Sequence, residues 1–417
     1  MRPTFTSFAP NIELDDIVRI FKILLPWNWP KIKKSPTQLS ETISKHFNKN
    51  TFLFDSGRTA LKELLKGYNF PKGSKIIIQA FTCSVVPHAI IQAGYKPIYI
   101  DINTDYNIDT FNLAAYLEAN KSNVKAIIVQ NTFGIPAPIQ QIIKIAKTHN
   151  IVVIEDLAHS LGSELQTKNG FKKLGTFSDS AILSFGSDKT ISCTRGGAVV
   201  TNNKQLTAYL SKLNLTRPPL ISLTKQVLQP LFFFMLKPFY NLAGIGIGKF
   251  LLYSLKKFRV LPQTVTLGEK QLTEQVTSYN LAPCLSYLLL NQWQKLDKFV
   301  KHRRKISKIY YSKLRTKFGF APILPGWTLL RFPIEVRKRQ TVMKILKKQN
   351  LHFDVWYDQV VGPNGTNMQK TGYKSGSCPM AELLARDVIN LPTHIGITAK
   401  KAHKIANFIL NNSNIDY

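Results

Sequence analysis

The chain has 417 residues, 44% hydrophobic and 19% charged, a balance that excludes a disordered chain and exceeds what one small core needs. Its formal net charge is +32, which points to polyanionic partners: nucleic acid, anionic lipid headgroups or phosphorylated substrates. Four scattered cysteines (Cys83, Cys193, Cys284, Cys378) without a CxxC pair disfavour a zinc site and a disulfide framework, and fit a reducing cytoplasm.

The opening MRPTFTSFAPNIELDD carries no basic start, apolar core and cleavage site, so no signal peptide is expected. LDDIVRIFKILLPWNW (14–29) predicts an amphipathic helix with Ile17, Ile20, Phe21 and Leu24 on one face. Trp27, Trp29 and a basic cluster (Lys31, Lys33, Lys34) follow it. From Thr51 to Asn202, short β-branched runs alternate with helix-length segments. Strands are expected at 51–54, 75–79, 96–100, 125–129, 151–154, 181–183 and 198–200, with helices such as 59–68 and 139–150 between them. Continuous apolar strands separated by helices predict an α/β domain with a mainly parallel seven-stranded sheet, covered on both faces. Ligands of such sheets bind at the carboxyl ends of the strands. Here those are the loops beginning at Asp55, Gln79, Gln130 and Glu155, and the segment carrying Lys189.

Residues 218–262 are apolar but interrupted by Lys225, Lys237 and Lys249, and by Pro230 and Pro238. No uninterrupted apolar run there reaches the roughly 20 residues of a bilayer span. Aromatics beside lysines suit an element lying among lipid headgroups; packing on the domain or on a second subunit accounts for the same composition. Beyond Leu285 we expect one long helix through 286–314, a strand at 328–336, a helix at 339–350 and a closing helix at 398–412. The expected division is an N-terminal arm (1–50), a large domain (51–275, with 218–262 inserted) and a smaller C-terminal α+β domain (276–417).

Three of the loops bear chemistry. DSGRTAL (55–61) puts Gly57 where a strand turns into a helix, so the free amides of Arg58 and Thr59 suit a phosphate, although such turns also occur without a ligand. IVVIEDLAH (151–159) ends a buried strand in two acids; Asp156 is either a buried carboxylate in need of a cation or a helix N-cap. SFGSDKTISCTRGGAVVTN (184–202) sets Lys189 directly after a buried strand. That lysine either points at water in a strand–loop–strand hairpin or is engaged near the core. Together, a phosphate cradle, a carboxylate and a lysine on successive strand ends suit pyridoxal 5'-phosphate. Its phosphate takes the cradle, its ring nitrogen faces Asp156 and its aldehyde meets Lys189. Desolvation then lowers the lysine's pKa and makes it a nucleophile and general base.

The order and spacing of five blocks resemble the DegT/StrS-type sugar aminotransferases, of the aspartate-aminotransferase fold (fold type I). The blocks are SGRTAL, QAFTCSVVPHAIIQAGYKPIYIDI, QNTFGIPAPI, VVIEDLAHSLGSEL and TFSDSAILSFGSDK…GGAVVTN, and the likeness resumes at Ser278–Asn280 and at Cys378–His394. The resemblance implies a PLP-dependent aminotransferase that moves an amino group from L-glutamate to a keto-sugar, usually nucleotide-linked, for surface polysaccharide or a related glycan. It implies Lys189 as the Schiff-base lysine, Ser184 with Gly57, Arg58 and Thr59 at the phosphate, Asp156 at the ring nitrogen and His159 at the ring hydroxyl. It also implies a homodimer in which Asn280 reaches the neighbouring subunit's cofactor. The chain departs from the pattern in three places. The usual ring-stacking aromatic is Cys83, with Phe81 nearby as a substitute; Gly-Glu-Gly-Gly reads Thr194-Arg195-Gly196-Gly197; and an arginine after the asparagine is Ala282. Arg195 and His394 are placed on the substrate side.

Other readings remain at this level. A dehydratase on the same fold replaces the lysine with histidine. A nucleic-acid binder finds no RGG tract or DNA-reading helix to support it. A membrane-associated protein on this scaffold, with another PLP reaction or none, would explain the charge and the insertion. The expectation is a cytoplasmic protein, with peripheral contact at the inner membrane face through 14–34 and 218–262.

Overall fold

All seven β-branched runs become strands of one sheet in the computed structural model, which describes residues 3–7, 10–120, 123–240, 246–258, 260–262 and 265–415. Of the stretches singled out above, residues 1, 2, 8 and 9 of the opening and 241–245 and 259 of the insertion lie outside the described residues. Strand β1 (Thr4–Phe5) stands apart. The sheet is built from β2 (Asn50–Phe54), β3 (Lys75–Gln79), β5 (Lys96–Ile100), β6 (Val124–Gln130), β7 (Val152–Asp156), β10 (Ser180–Ser184) and β11 (Gly197–Thr201). Their order is β2-β11-β10-β7-β6-β3-β5. β10, β7, β6, β3 and β5 run parallel, whereas β11 is antiparallel to both neighbours. Short β4 (Thr82–Cys83) lies outside this sheet, and β8 (Glu164–Thr167) pairs with β9 (Gly170–Lys173).

The strands read as unbroken apolar runs because both faces are covered. Ile76 and Ile78 of β3 pack with Ile128 and Ile154 against α3 (Gly57–Tyr68), α4 (Val85–Gln92) and α7 (Lys204–Ser211). Ile77 points the other way, with Ile127 and Val129, against α5 (Thr110–Ala119) and α6 (Ile139–Thr148). At about 1.5–3 kcal/mol for each fully buried side chain, these layers outweigh any local preference.

Three expectations are corrected. The predicted helix over 14–29 stops at Ile23 as α1 (Leu14–Ile23), just before Pro26, and α2 (Trp29–Phe47) restarts after a single 3-10 turn. Ile17 and Ile20 are buried as expected, but Phe21 and Leu24 are 51% and 62% exposed, so the apolar face is split. The long helix expected over 286–314 is two, α11 (Pro283–Gln294) and α12 (Leu296–Phe318), broken at Lys295. No proline or glycine marks that break. Lys295 Nζ reaches Asp16 at 2.8 Å and Asp15 at 2.9 Å, while Asn291 and Gln292 also donate to Asp16. A tertiary ion cluster therefore holds α11 against α1, and α12 departs from it.

The insertion forms α8 (Leu220–Phe239) and α9 (Ile247–Lys257), with Pro230 and Pro238 inside α8. Among the described residues no helix is long and apolar enough to cross a membrane. A short α10 (Leu267–Lys270) follows.

In the C-terminal part, β12 (Arg331–Glu335) pairs antiparallel with β15 (Val388–Pro392). Around them lie α12, α13 (Arg339–Lys348), α14 (Met368–Thr371), α15 (Pro379–Asp387) and α16 (Ala399–Leu410). β1 pairs in parallel with β13 (Leu351–His352), so the N-terminal arm is sewn into this part. β4 pairs with β14 (Val361–Gly362) in the same way. Ala80, Phe81 and Phe133, from loops at the carboxyl ends of β3 and β6, are buried in one cluster with Ile334, Ile389 and Ile405. The strand ends of the large sheet thus meet the C-terminal core directly.

Candidate active site

At that junction lies a cavity of about 1090 Å³, bordered by Gly57, Arg58, Asp156, His159, Ser184 and Lys189. The phosphate turn is made by close packing. Ser56 caps α3, its Oγ accepting from the Thr59 amide at 3.3 Å. A Cβ on Gly57 would sit 2.9 Å from Ser184 Cβ, and one on Gly197 would meet the Ser56 carbonyl carbon and oxygen at 2.4 Å. Both glycines are needed because β10 and β11 press their ends onto the start of α3. Gly197→Ala is therefore expected to displace the turn at about 1–3 kcal/mol, a loss of roughly 5- to 150-fold in cofactor affinity. Titrating apo protein with pyridoxal phosphate and following the visible absorbance checks it; an unchanged affinity would show that the turn does not carry the phosphate.

Arg58 borders the cavity and pairs with Glu269 of α10; burial and the neighbouring Arg195 bring its pKa down to about 10. Thr59 departs from expectation. Its hydroxyl is fully buried, donates to Asp55 Oδ1 at 2.7 Å and does not border the cavity, so it braces the turn from behind. Arg195 does border it, with Nε 3.4 Å from Asp55 Oδ2.

Asp156 ends β7. Its Oδ1 accepts from the Ala158 amide at 2.9 Å and its Oδ2 from Gln130 Nε2 at 3.2 Å; Gln130 Oε1 accepts from Thr82 at 2.7 Å. Burial raises this carboxyl's pKa, against the Ala158 amide, Lys189 and Gln130, which lower it. Only neutral donors touch it, so its charge is unmatched at contact distance. Such a carboxylate suits a cationic ring nitrogen.

Lys189 sits in the connection between β10 and β11. The strand–loop–strand hairpin forms, but the lysine side chain turns inward and not toward water. Burial lowers its pKa, with Asp188, Cys83 and Asp156 opposing. Among the described residues its ammonium makes no hydrogen bond and no ion pair; it lies 4.7 Å above the ring of Trp356. Its backbone is fixed by the N-terminal arm. Asn11 Nδ2 donates to the Lys189 and Thr190 carbonyls at 2.7 and 2.8 Å, and Asn11 Oδ1 accepts from Arg303 at 3.1 Å.

His159 is buried, with its ring parallel to Trp356 at 4.8 Å. Its Nδ1 accepts from the Phe133 amide at 3.4 Å, which puts the proton on Nε2, 3.4 Å from Tyr357 Oη. Burial, with the charges of Lys189 and Arg331, holds its pKa well below the usual value, so the ring is neutral. Cys83 and Phe81 both border the cavity, and Phe81 packs edge-on against Tyr357 at 5.4 Å. Trp356 is clamped from behind by Arg331, whose guanidinium carbon is 3.3 Å from the ring centroid and which bridges Asp188 and Asp354 at 3.2 and 3.3 Å.

His394 falls outside the cavity, and so does Asn280, which was expected at the neighbouring subunit's cofactor and not at this one. Asn280 is exposed, with Nδ2 donating to the Leu215 carbonyl at 2.6 Å. His394 is buried beneath the N-terminal arm. Its Nδ1 accepts from the Gly396 amide at 3.1 Å and its Nε2 meets the Phe5 carbonyl at 2.8 Å, which makes it a fastener of β1 and not a substrate contact. Sequence reasoning missed Asn11, Arg331, Trp356 and Tyr357, and it named Gln130 only as the start of a ligand-facing loop. An arginine inside the apolar strand RFPIE was the one visible signal among them.

The residues present fit pyridoxal phosphate: helix-start amides beside Ser184 for the phosphate, a buried carboxylate touched only by neutral donors among the described residues for the ring nitrogen, and an inward-turned lysine amine without an ion pair among them for the aldehyde.

Known proteins share this arrangement of sequence and fold. The model of the DegT/DnrJ/EryC1/StrS aminotransferase family matches residues 30–216 and 255–410, leaving most of the insertion unmatched. An uncharacterized protein of Methanocaldococcus jannaschii is 24% identical over 98% of this chain and 96% of its own length. A UDP-4-amino-4,6-dideoxy-N-acetyl-beta-L-altrosamine transaminase of Campylobacter jejuni is 38% identical over 34% of this chain and 36% of its own length. Among solved structures, Helicobacter pylori PseC, an aminotransferase involved in pseudoaminic acid biosynthesis, has the same fold. It gives a TM-score of 0.72 at 19% identity, covering 98% of each chain.

Proposed function

The chain belongs to the DegT/DnrJ/EryC1/StrS aminotransferase family, and we propose that this pyridoxal-phosphate-dependent aminotransferase transfers the amino group of L-glutamate to a nucleotide-linked keto-sugar for glycan biosynthesis. The carrying observation is the pair in the cavity: a half-buried Lys189 whose amine turns inward with no hydrogen bond or ion pair among the described residues, and a buried Asp156 carboxylate with no cation in contact among them.

Bound pyridoxal phosphate supplies an electron sink for the pair left when the substrate carbon loses its proton. Asp156 would hold the ring nitrogen in its protonated form and so deepen that sink. Lys189 Nζ would hold the aldehyde and, as a free amine, would carry the proton from the substrate carbon. Burial lowers its pKa, a shift toward the free base that both tasks need. Neutral His159 carries its proton on Nε2, which faces Tyr357 Oη and would be available to the ring hydroxyl of bound cofactor. Asn131 Nδ2, buried at the cavity wall without a partner, offers a donor to the sugar.

Mixing holoenzyme with L-glutamate should bleach the visible band of the lysine-bound cofactor and release one equivalent of 2-oxoglutarate per site. A panel of nucleotide-linked keto-sugars should then restore the band. No 2-oxoglutarate would sink the reading.

We take the assembly to be a homodimer in which exposed Asn280 serves the neighbouring site, and the protein to be cytoplasmic, docked peripherally on the membrane. Trp27 and Trp29 are 73% and 52% exposed beside exposed Lys31, Lys33 and Lys34. α1 also touches α8, and the inserted segment exposes Phe239, Phe250 and Phe258. An apolar patch rimmed by lysines suits an anionic bilayer. The protein should float with phosphatidylglycerol vesicles at low salt, and Trp27→Ala with Trp29→Ala should remove most of that binding. Equal flotation of the variant would count against this surface.

A further inference from the structure

The segment that the family model largely leaves unmatched is also a wall of the active site. Gln226 of α8 and Lys249 of α9 border the same continuous cavity as Lys189, together with Lys344 and Lys347 of α13. Lys344 and Lys347 are three residues apart and share one face of their helix. Lys249 and Lys347 converge on His352, whose pKa is lowered first by burial and then by both of them. Among the described residues none of these three lysines is ion-paired. The acids that border the cavity are held elsewhere: Asp156 by Gln130 and Ala158, Asp188 and Asp354 by Arg331, and Asp358 by the Asn364 amide.

A second feature points to a ligand. Gln226 is only 3% exposed, its Nε2 donates to Ser222, and its Oε1 has no partner, leaving a buried acceptor at the wall. The cavity, about 1090 Å³, lies above the roughly 300–1,000 Å³ of ordinary small-molecule pockets, enough for a cofactor and a long substrate together.

We propose that Lys249, Lys344 and Lys347 form a binding site for the diphosphate of the sugar substrate, with Gln226 accepting from a hydroxyl, so that the inserted α8–α9 segment selects the sugar's carrier. This rests on the aminotransferase reading and deepens it. Diphosphate is common to nucleotide-linked and polyprenyl-linked sugars, and the site reads that shared group. Three lysines on one cavity wall match its charge, and they come from α9 and α13, whereas the turn at Gly57 that would take the cofactor's phosphate starts α3.

The test is calorimetric titration of holoenzyme with inorganic pyrophosphate, UDP and farnesyl diphosphate at low salt. Pyrophosphate should bind once per chain, and Lys249→Glu combined with Lys347→Glu should weaken it at least tenfold. Lys344→Ala with Lys347→Ala, on an exposed helix face, is the milder pair, and the visible cofactor band reports that each variant is folded. Tighter UDP than farnesyl diphosphate binding supports the site with a nucleotide carrier, and the reverse supports it with a polyprenyl carrier. No pyrophosphate binding, or equal affinity in folded variants, overturns the site. The glutamate half-reaction of the unaltered enzyme is run alongside: if it fails, the aminotransferase reading falls, whereas if it succeeds and the lysine variants bind normally, only this site falls.

Discussion

Lys189→Ala is expected to lower kcat by about 10⁴-fold, the upper end of what a positioned general base contributes. The visible band of the lysine-bound cofactor should vanish as well. The fold should survive. The half-buried Lys189 makes no side-chain hydrogen bond or ion pair among the described residues, so its removal relieves desolvation of the ammonium and breaks no polar contact except the one over Trp356. Thermal melting of the apo variant should therefore match or exceed that of the unaltered protein. Lys189→Arg should not rescue turnover, because a guanidinium does not give up its proton near neutral pH. Cofactor should still bind through the phosphate turn and Asp156, more weakly. Single-turnover assays and an absorbance scan decide the matter, and wild-type turnover in the alanine variant would remove Lys189 from the mechanism.

Asp156→Asn is expected to separate stability from catalysis. With cofactor bound, the change strips the ring nitrogen of its counter-charge. Breaking a buried ion pair costs about 3–5 kcal/mol, which is roughly a hundred- to several-thousand-fold in cofactor affinity and rate combined. Without cofactor the same change removes a desolvated carboxylate whose pKa burial has raised, and the apo protein should melt no earlier. The new amide also finds partners. Its oxygen keeps the Ala158 amide, and Gln130 can reverse so that its own oxygen accepts from the introduced NH₂ group. The Thr82 hydroxyl then accepts from Gln130 instead of donating. Paired melting curves with and without pyridoxal phosphate check the sign. A variant whose holo and apo forms are destabilised equally would mean that Asp156 is a structural residue only.

The legible parts of this protein were local ones. Each sheet strand is an unbroken apolar run because helices cover both of its faces, so a short window of residues carried the signal. The phosphate turn, Asp156 and Lys189 each lie at the end of such a run, and their residue types state their chemistry without help from elsewhere in the chain. The strand–loop–strand hairpin and the inward-turned lysine are one feature: β10 and β11 pair, and Lys189 between them lies over the Trp356 ring.

What failed was decided by partners far away in sequence. Lys295 breaks a helix that local propensity would continue, because Asp15 and Asp16 lie across the interface. His394 faces the Phe5 carbonyl, at the other end of the chain. Phe21 and Leu24 stand on the face of α1 that nothing among the described residues covers, although their spacing matches that of buried Ile17 and Ile20.

The amino-acid sequence by itself determined the parallel α/β scaffold, the family and three candidate groups for the cofactor, since burial pattern and side-chain chemistry are properties of short segments. Only the tertiary structure decided that Trp356 and Arg331 close over Lys189, that Asn11 anchors its backbone, and that the insertion borders the same cavity. Those residues lie far from the lysine along the chain, and their proximity exists only once hydrophobic burial has folded the C-terminal part and the N-terminal arm onto the strand ends.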